Sequence, residues 1–173
     1  MKLFTILQEA IHQHSDRNAF FINDSFYSYT DLAKSISKIR NSIRLNTDKS
    51  EKIIGLIAND DLETYAAILA LWFEGKAYVP LSTDTPKERN ASIIQQAGIT
   101  RMLDSSEKPF IPEFKTIETK NIPESEIDLK FENIADDELA YMLFTSGTTG
   151  VPKGVPITYS NVEGFVNAFF ALE

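Results

Sequence analysis

The residues of this sequence best suited to chemistry form a cluster of hydroxyl-bearing residues and glycines, followed by a single lysine. Glycine tolerates positive φ angles and close backbone approach, so successive N–H groups can point into one concavity. The hydroxyls add uncharged donors, and the lysine adds a mobile cation. This combination predicts a binding loop for a polyphosphate. The residues concerned are Thr145, Ser146, Gly147, Thr148, Thr149, Gly150 and Lys153.

A hexamer rich in glycine and hydroxyl groups is, taken alone, also typical of a flexible turn. Two neighbouring features favour the binding loop. Residues 140–144, AYMLF, are interpreted as a buried strand, so the loop leaves the carboxyl end of a strand, where open α/β sheets bind ligands. Lys153 is spaced so that it can fold back over the concavity.

The cluster differs from the Walker A phosphate loop, in which Gly-Lys-Ser/Thr opens a helix directly. Here Lys153 is followed by Gly154, and Pro152 disfavours helical geometry at Val151. The next helix is predicted to begin at Ser160, with Ser160 and Glu163 as a capping box. We therefore expect Lys153 to lie on a mobile loop, and a P-loop NTPase is disfavoured.

The elements that must position this loop alternate between strands and helices. Short apolar runs predict strands at 52–58, 77–81, 99–103 and 140–144. Such alternation predicts an α/β fold with a largely parallel sheet and helices on both faces. Right-handed crossovers then bring the ligand-carrying strand ends to one edge of the sheet.

Helices and turns are predicted from periodicity and from capping residues. Residues 3–11 and 32–43 show apolar positions at helical spacing, and a hairpin is expected at 23–25. The predicted helix starts are a Thr30 cap and two capping boxes, one at Asp60 with Glu63 and one at 85–88. The predicted stops are Gly75 and Gly98.

Composition narrows the function classes. The formal net charge of −8 argues against a nucleic-acid partner, which requires a basic surface. The absence of cysteine excludes thiolate zinc sites and thiol nucleophiles. No apolar run approaches the length of a membrane span, so we expect a soluble, cytoplasmic protein without membrane partners. We interpret the isolated His12 and His14 as surface residues rather than catalytic ones.

Residues 104–138 differ from the rest because they are rich in proline and charge and have weak apolar periodicity. They are interpreted as a surface excursion within the domain, with a short strand near 114–118. The acidic run 132–138 could bind a cation, but a solvated turn is the favoured interpretation, and no metal site is assigned.

Residues 145–155, TSGTTGVPKGV, resemble the phosphate-loop signature of the adenylate-forming superfamily. Residues 29–32 resemble the start of an early helix in that family. Residues 75–81 and 86–89 resemble the second core motif of its amino-acid-activating members. The resemblance is closest to the adenylation domains of nonribosomal peptide synthetases and to D-alanine–carrier protein ligases. Two departures, Lys76 and the stretch 82–85, lie outside the phosphate loop.

The resemblance implies a ligase that joins a carboxylate substrate, in this case an amino acid, to ATP. The products are an acyl-adenylate and pyrophosphate, and the acyl group then passes to a thiol, either a carrier-protein phosphopantetheine or CoA. It implies that residues 145–150 and Lys153 hold the β- and γ-phosphates of ATP. The Mg²⁺ ligands and catalytic residues of the family are expected downstream, so no catalytic residue is assigned here.

The resemblance also implies that residues 1–173 are the N-terminal part of the large adenylation domain of a longer enzyme. As a fragment, they are expected to be inactive without the remainder of that enzyme. Two alternatives remain open. One is an acyl-CoA synthetase for fatty or aryl acids. The other is a non-catalytic nucleotide-binding or interaction module that retains the fold.

Overall fold

The computed structural model describes residues 2–146 and 151–171, which form five α-helices and eight strands. The helices are α1 (Lys2–Gln13), α2 (Tyr29–Asn46), α3 (Leu62–Phe73), α4 (Lys87–Ala97) and α5 (Tyr159–Phe170). The first four strands are β1 (Asn18–Ile22), β2 (Ser25–Ser28), β3 (Ile53–Ile57) and β4 (Ala77–Leu81). The others are β5 (Met102–Asp104), β6 (Thr116–Glu118), β7 (Leu139–Ser146) and β8 (Pro152–Thr158).

Six of the strands form one sheet in the order β6-β5-β3-β4-β7-β8. The first five run parallel to one another, and only β8 is antiparallel, to β7. β1 and β2 form a separate hairpin, in which Asn23 and Asp24 have the positive φ angles of a tight turn. The carboxyl ends of the parallel strands share one edge, where β7 ends.

Apolar residues on alternate positions of the strands fill two cores, one on each face of the sheet. Ile54 and Leu56 of β3 pack with α1, α2, α3 and the start of α5. Ile57 of β3 and Val79 of β4 pack instead with α4 and with residues 110–114. The predicted α/β fold, with a largely parallel sheet covered by helices on both faces, is confirmed.

The predicted helix starts are wrong by one or two residues. Ser28, and not Thr30, caps α2: its Oγ accepts from the Asp31 N–H, and Asp31 accepts from the Ser28 N–H. Asp61, and not Asp60, caps α3 by accepting from the Thr64 N–H. The capping box at 85–88 is absent, since Pro86 occupies the cap of α4 without a side-chain hydrogen bond.

Residues 104–138 add to both the sheet and the core. The short strand predicted near 114–118 is present as β6, which extends the sheet by pairing with β5. Ile117 and Ile134 are buried in the core shared with α2 and α3. Among the described residues, no group of three or more His, Cys, Asp or Glu side chains is arranged to hold a metal ion. The interpretation of the whole segment as a surface excursion stays a prediction.

No helix in the described ranges combines the length and the apolar character required to cross a lipid bilayer.

Candidate functional site

The β7–β8 hairpin carries the described part of the predicted phosphate loop. Thr145 and Ser146 are the last two residues of β7, and Lys153 is the second residue of β8. Thr145 stands directly opposite Lys153, and Ser146 stands opposite Pro152. The other predicted residues, Gly147, Thr148, Thr149 and Gly150, lie outside the described residues. The structure therefore brings Thr145, Ser146 and Lys153 together at the carboxyl edge of the parallel sheet.

Two expectations about this segment are wrong. Lys153 lies on a strand rather than on a loop, because β8 begins at Pro152 and pairs along its whole length with β7. The strand at 140–144 is also less buried than predicted: Ala140 is fully buried, whereas Leu143 is 43% exposed. The strand pairing fixes the backbone position of Lys153, and only its side chain is left free to move.

One face of the hairpin is exposed to solvent and carries both polar and apolar side chains. Residues opposite each other in an antiparallel pair project from the same face, so Thr145 and Lys153 share a face with the neighbouring pair Leu143 and Val155. Thr145, Ser146 and Lys153 are all exposed. Within residues 2–146 and 151–171, none of their side chains makes a hydrogen bond or an ion pair. The Thr145 hydroxyl and the Lys153 ammonium are thus available to an anionic ligand on this face, whereas Ser146, the next residue of β7, projects from the opposite face.

The opposite face of the hairpin is closely packed around Gly154. A Cβ at this position would lie 2.7 Å from Met142 Sδ and 3.2 Å from Phe144 Cζ. Met142 and Phe144 in turn pack on the core beneath α4. Glycine therefore lets β8 cross over these two side chains, and the exposed face keeps its position relative to the sheet.

We expect Gly154→Val to lower the free energy of unfolding by about 1–3 kcal/mol, since Met142 and Phe144 must move. Urea unfolding would measure the change. Gly164→Ala in α5 is the matched control. Apart from its chain neighbours and the backbone of its own helix, no described atom lies within 4 Å of a Cβ at Gly164, and alanine should stabilise that helix by about 0.5–1 kcal/mol. Equal effects at the two glycines would show that crowding in the hairpin is unimportant.

The end of the hairpin leads directly into α5. Thr158 caps this helix: its Oγ1 accepts from the Asn161 N–H, and Asn161 Oδ1 accepts from the Thr158 N–H. The capping box predicted at Ser160 and Glu163 is therefore wrong. Glu163 accepts instead from the Leu3 N–H at 3.2 Å. This contact ties α5 to α1, so the helix after the site is anchored to the first helix of the chain.

Two tyrosines, the buried Tyr159 and the partly buried Tyr78, support the base of the hairpin. The Tyr159 hydroxyl donates to the carbonyl oxygen of Lys76 at 3.3 Å, and burial raises its pKa. Burial, together with the neighbouring Tyr141, raises the pKa of Tyr78 to about 12. The rings of Tyr78 and Tyr141 stack with centroids 5.4 Å apart. Both phenols therefore stay protonated at neutral pH and act as packing groups rather than as acids or bases.

The sequence did not reveal Tyr159 as a residue of the hairpin base. It follows a strand of moderate hydropathy, and its partners lie more than 80 residues away along the chain. Trp72, which the apolar stripe of α3 marked as a core residue, also reaches the hairpin. Its indole Nε1–H donates to the Ala140 carbonyl at 2.9 Å. No local pattern predicts such a long-range hydrogen bond.

A family model described as "AMP-binding enzyme" matches residues 7–172. The chain belongs to this family. The match spans both the sheet and the β7–β8 hairpin, and the adenylate-forming resemblance of residues 145–155 is confirmed with it.

Known relatives of this AMP-binding enzyme chain are much longer. It is 27% identical over 162 residues to the phenyloxazoline synthase MbtB of Mycobacterium sp. (strain MCS), covering 91% of the chain but 14% of that protein. It is 33% identical over 145 residues to the nonribosomal peptide synthetase SIDC of Beauveria bassiana, covering 80% of the chain and 3% of that protein. The chain thus spans a small part of the length of these relatives.

A solved structure has the same fold. The chain superposes on a four-domain nonribosomal peptide synthetase, holo-AB3403, bound to AMP and glycine, with a TM-score of 0.81 and 25% sequence identity. The superposition covers 96% of this AMP-binding enzyme chain and 12% of that structure. The described elements therefore correspond to a small part of that solved structure.

Proposed function

We propose that this chain contributes the phosphate-binding portion of an ATP-dependent ligase that activates an amino acid as its acyl-adenylate and releases pyrophosphate. The single observation that carries this proposal is the pairing of Thr145 with Lys153 on an exposed face of the β7–β8 hairpin. It joins a hydroxyl and a cation at the carboxyl edge of the sheet, where α/β folds bind ligands.

In this proposal the hydroxyls of Thr145 and Ser146 donate to the outer phosphates of ATP, and the Lys153 ammonium pairs with their charge. The resemblance assigns Gly147, Thr148, Thr149 and Gly150 to the same phosphates. Preorganised donors and a cation stabilise charge that develops on pyrophosphate as it leaves. They also hold the α-phosphate in place for attack by the substrate carboxylate.

The donor set fits a polyphosphate and does not by itself supply a magnesium site. Mg²⁺ prefers carboxylate, phosphate and water oxygens. The stretch from Thr145 to Lys153 contains hydroxyl-bearing residues and a lysine but no carboxylate. We therefore assign the Mg²⁺ ligands to other parts of the enzyme. When bound, the ion would neutralise phosphate charge alongside Lys153.

The remaining parts of the proposal follow from the resemblance. Residues 1–173 form the N-terminal part of the large adenylation domain, with 104–138 as a surface excursion within it. Alone they are expected to hold nucleotide without completing the reaction. The acyl group would pass to the phosphopantetheine thiol of a carrier protein, as suggested by residues 75–81. The synthetase of similar fold that was solved with AMP and glycine supports an amino acid plus a nucleotide as ligands.

The test is ATP–pyrophosphate exchange by the complete gene product with a panel of amino acids and fatty acids. Exchange that depends on one or a few amino acids supports the proposal. Exchange that depends on fatty or aryl acids would reassign the enzyme as an acyl-CoA synthetase. A folded protein that binds ATP but shows no exchange with any acid would contradict the ligase assignment and favour a binding module.

A further inference from the structure

A β-bulge lies at the base of the hairpin that holds Thr145 and Lys153. Leu139 pairs with Thr158, whereas Tyr141 pairs with Ile157, so Ala140 has no partner residue on β8. A bulge of this kind bends its strand and changes which residues face each other beyond it. Ala140 is fully buried against the core shared with α3.

The bulge decides which residue of β7 stands opposite Lys153. Beyond it, Thr145 pairs with Lys153. If the register of Leu139 and Thr158 continued along the hairpin, Phe144 would stand opposite Lys153 instead. A shift of one residue also moves each side chain to the other face of the strand. Thr145 would then leave the exposed face that it shares with Lys153, and an aromatic ring would take its place.

Trp72 contacts the bulge directly. It is the penultimate residue of α3, and its Nε1–H donates to the carbonyl oxygen of Ala140 at 2.9 Å. Its ring also lies near two neighbours of the bulge, with centroids 6.3 Å from Tyr78 on β4 and 6.2 Å from Tyr159 at the start of α5. The indole thus lies between β4, the strand that pairs with β7, and α5, the helix that follows the hairpin.

We propose that Trp72 is a positioning residue for the nucleotide: its indole N–H holds the bulge at Ala140, and the bulge places Thr145 opposite Lys153. The inference rests on the proposed function, because it concerns the same phosphate contacts. Trp72 itself lies at the opposite end of β7 from Thr145, so its effect passes through the register of the strand rather than through contact with ATP.

The test compares Trp72→Phe, which keeps an aromatic ring but removes the donor, with Ile36→Val, which removes one methylene from the same core on α2. We expect Trp72→Phe to raise the KM for ATP about three- to tenfold, because this is the change that the loss of one hydrogen bond produces. The KM for the acid substrate should stay unchanged. The backbone amides of 141–146 and 151–158 should exchange faster with deuterium. Ile36→Val should change neither quantity.

A second variant serves if Trp72→Phe fails to fold. Incorporation of the benzothiophene analogue of tryptophan at a suppressed stop codon for residue 72 alters this residue alone and removes the N–H while keeping the ring shape. Hairpin amide exchange equal to that of the wild-type protein in this analogue would overturn the proposal. If wild-type protein shows no use of ATP, the proposed function is wrong, whereas the exchange data still decide whether Trp72 holds the bulge.

Discussion

Replacing Lys153 by alanine is expected to slow amino-acid-dependent pyrophosphate exchange about 10- to 100-fold in the complete gene product. The loss corresponds to one hydrogen bond to a charged group, about 1.5–3 kcal/mol. The side chain is exposed, and its ammonium makes no ion pair within residues 2–146 and 151–171. Its removal should therefore leave the free energy of unfolding nearly unchanged while weakening the contact with the phosphates.

Two further variants separate the phosphate contact from a general effect of charge. Lys153→Arg keeps the cation on the same strand and should retain a larger part of the activity. Lys49→Ala removes an exposed lysine near the amino end of β3, at the edge of the sheet away from Thr145. It should leave the exchange rate unaltered. Equal losses in Lys49→Ala and Lys153→Ala would attribute the effect to net charge and would remove Lys153 from the site.

The sheet could be predicted from the sequence because its inner strands are short apolar runs covered on both faces. β3 carries Ile54 and Leu56 toward one core and Ile57 toward the other, so the run lacks polar alternation. The loops at Gly75 and Gly98 were also predictable. Both glycines have the positive φ angles that end a helix in the left-handed conformation.

The helix starts were harder to predict because several capping side chains stand next to each other. Either Asp60 or Asp61 could cap α3 by accepting from a helical N–H. In the same way, either Thr158 or Ser160 could cap α5. The path of the chain into the helix decides between them. At α3 this path selects Asp61, and Asp60 accepts from the Tyr65 hydroxyl instead. The spacing of residues in the sequence does not show how the chain enters the helix, so it cannot select between neighbouring caps.

The candidate site was predictable in its residue types but not in its geometry. The hydroxyls and the lysine indicated an anion-binding loop, and the proline excluded a helix at Val151. That exclusion left both a loop and a strand possible for Lys153. The pairing of Thr145 with Lys153 depends on the bulge at Ala140, which in turn is contacted by Trp72 of α3. Such a register is set by tertiary contacts.

The largest expected loss of stability follows from Arg40→Ala, at about 3–5 kcal/mol. Arg40 is 1% exposed and lies between two acidic residues. Its guanidinium pairs with Glu74 at 2.7 Å, donates to the Asp128 carbonyl at 2.6 Å, and lies over the Phe73 ring at 5.3 Å. It thereby joins α2 to the end of α3 and to the 104–138 segment. Urea unfolding followed by far-UV circular dichroism would measure the loss.

Arg44→Ala is the matched control because Arg44 binds the same two acidic residues from a more exposed position. Its guanidinium lies 2.8 Å from both Glu74 Oε1 and Asp128 Oδ2, and its side chain is 42% exposed. An exposed ion pair contributes about 0–1 kcal/mol, since water and salt screen it. We therefore expect Arg44→Ala to cost much less than Arg40→Ala. Equal losses would mean that the charges themselves, and not the burial of Arg40 against Phe73 and the Asp128 backbone, hold α2 to α3.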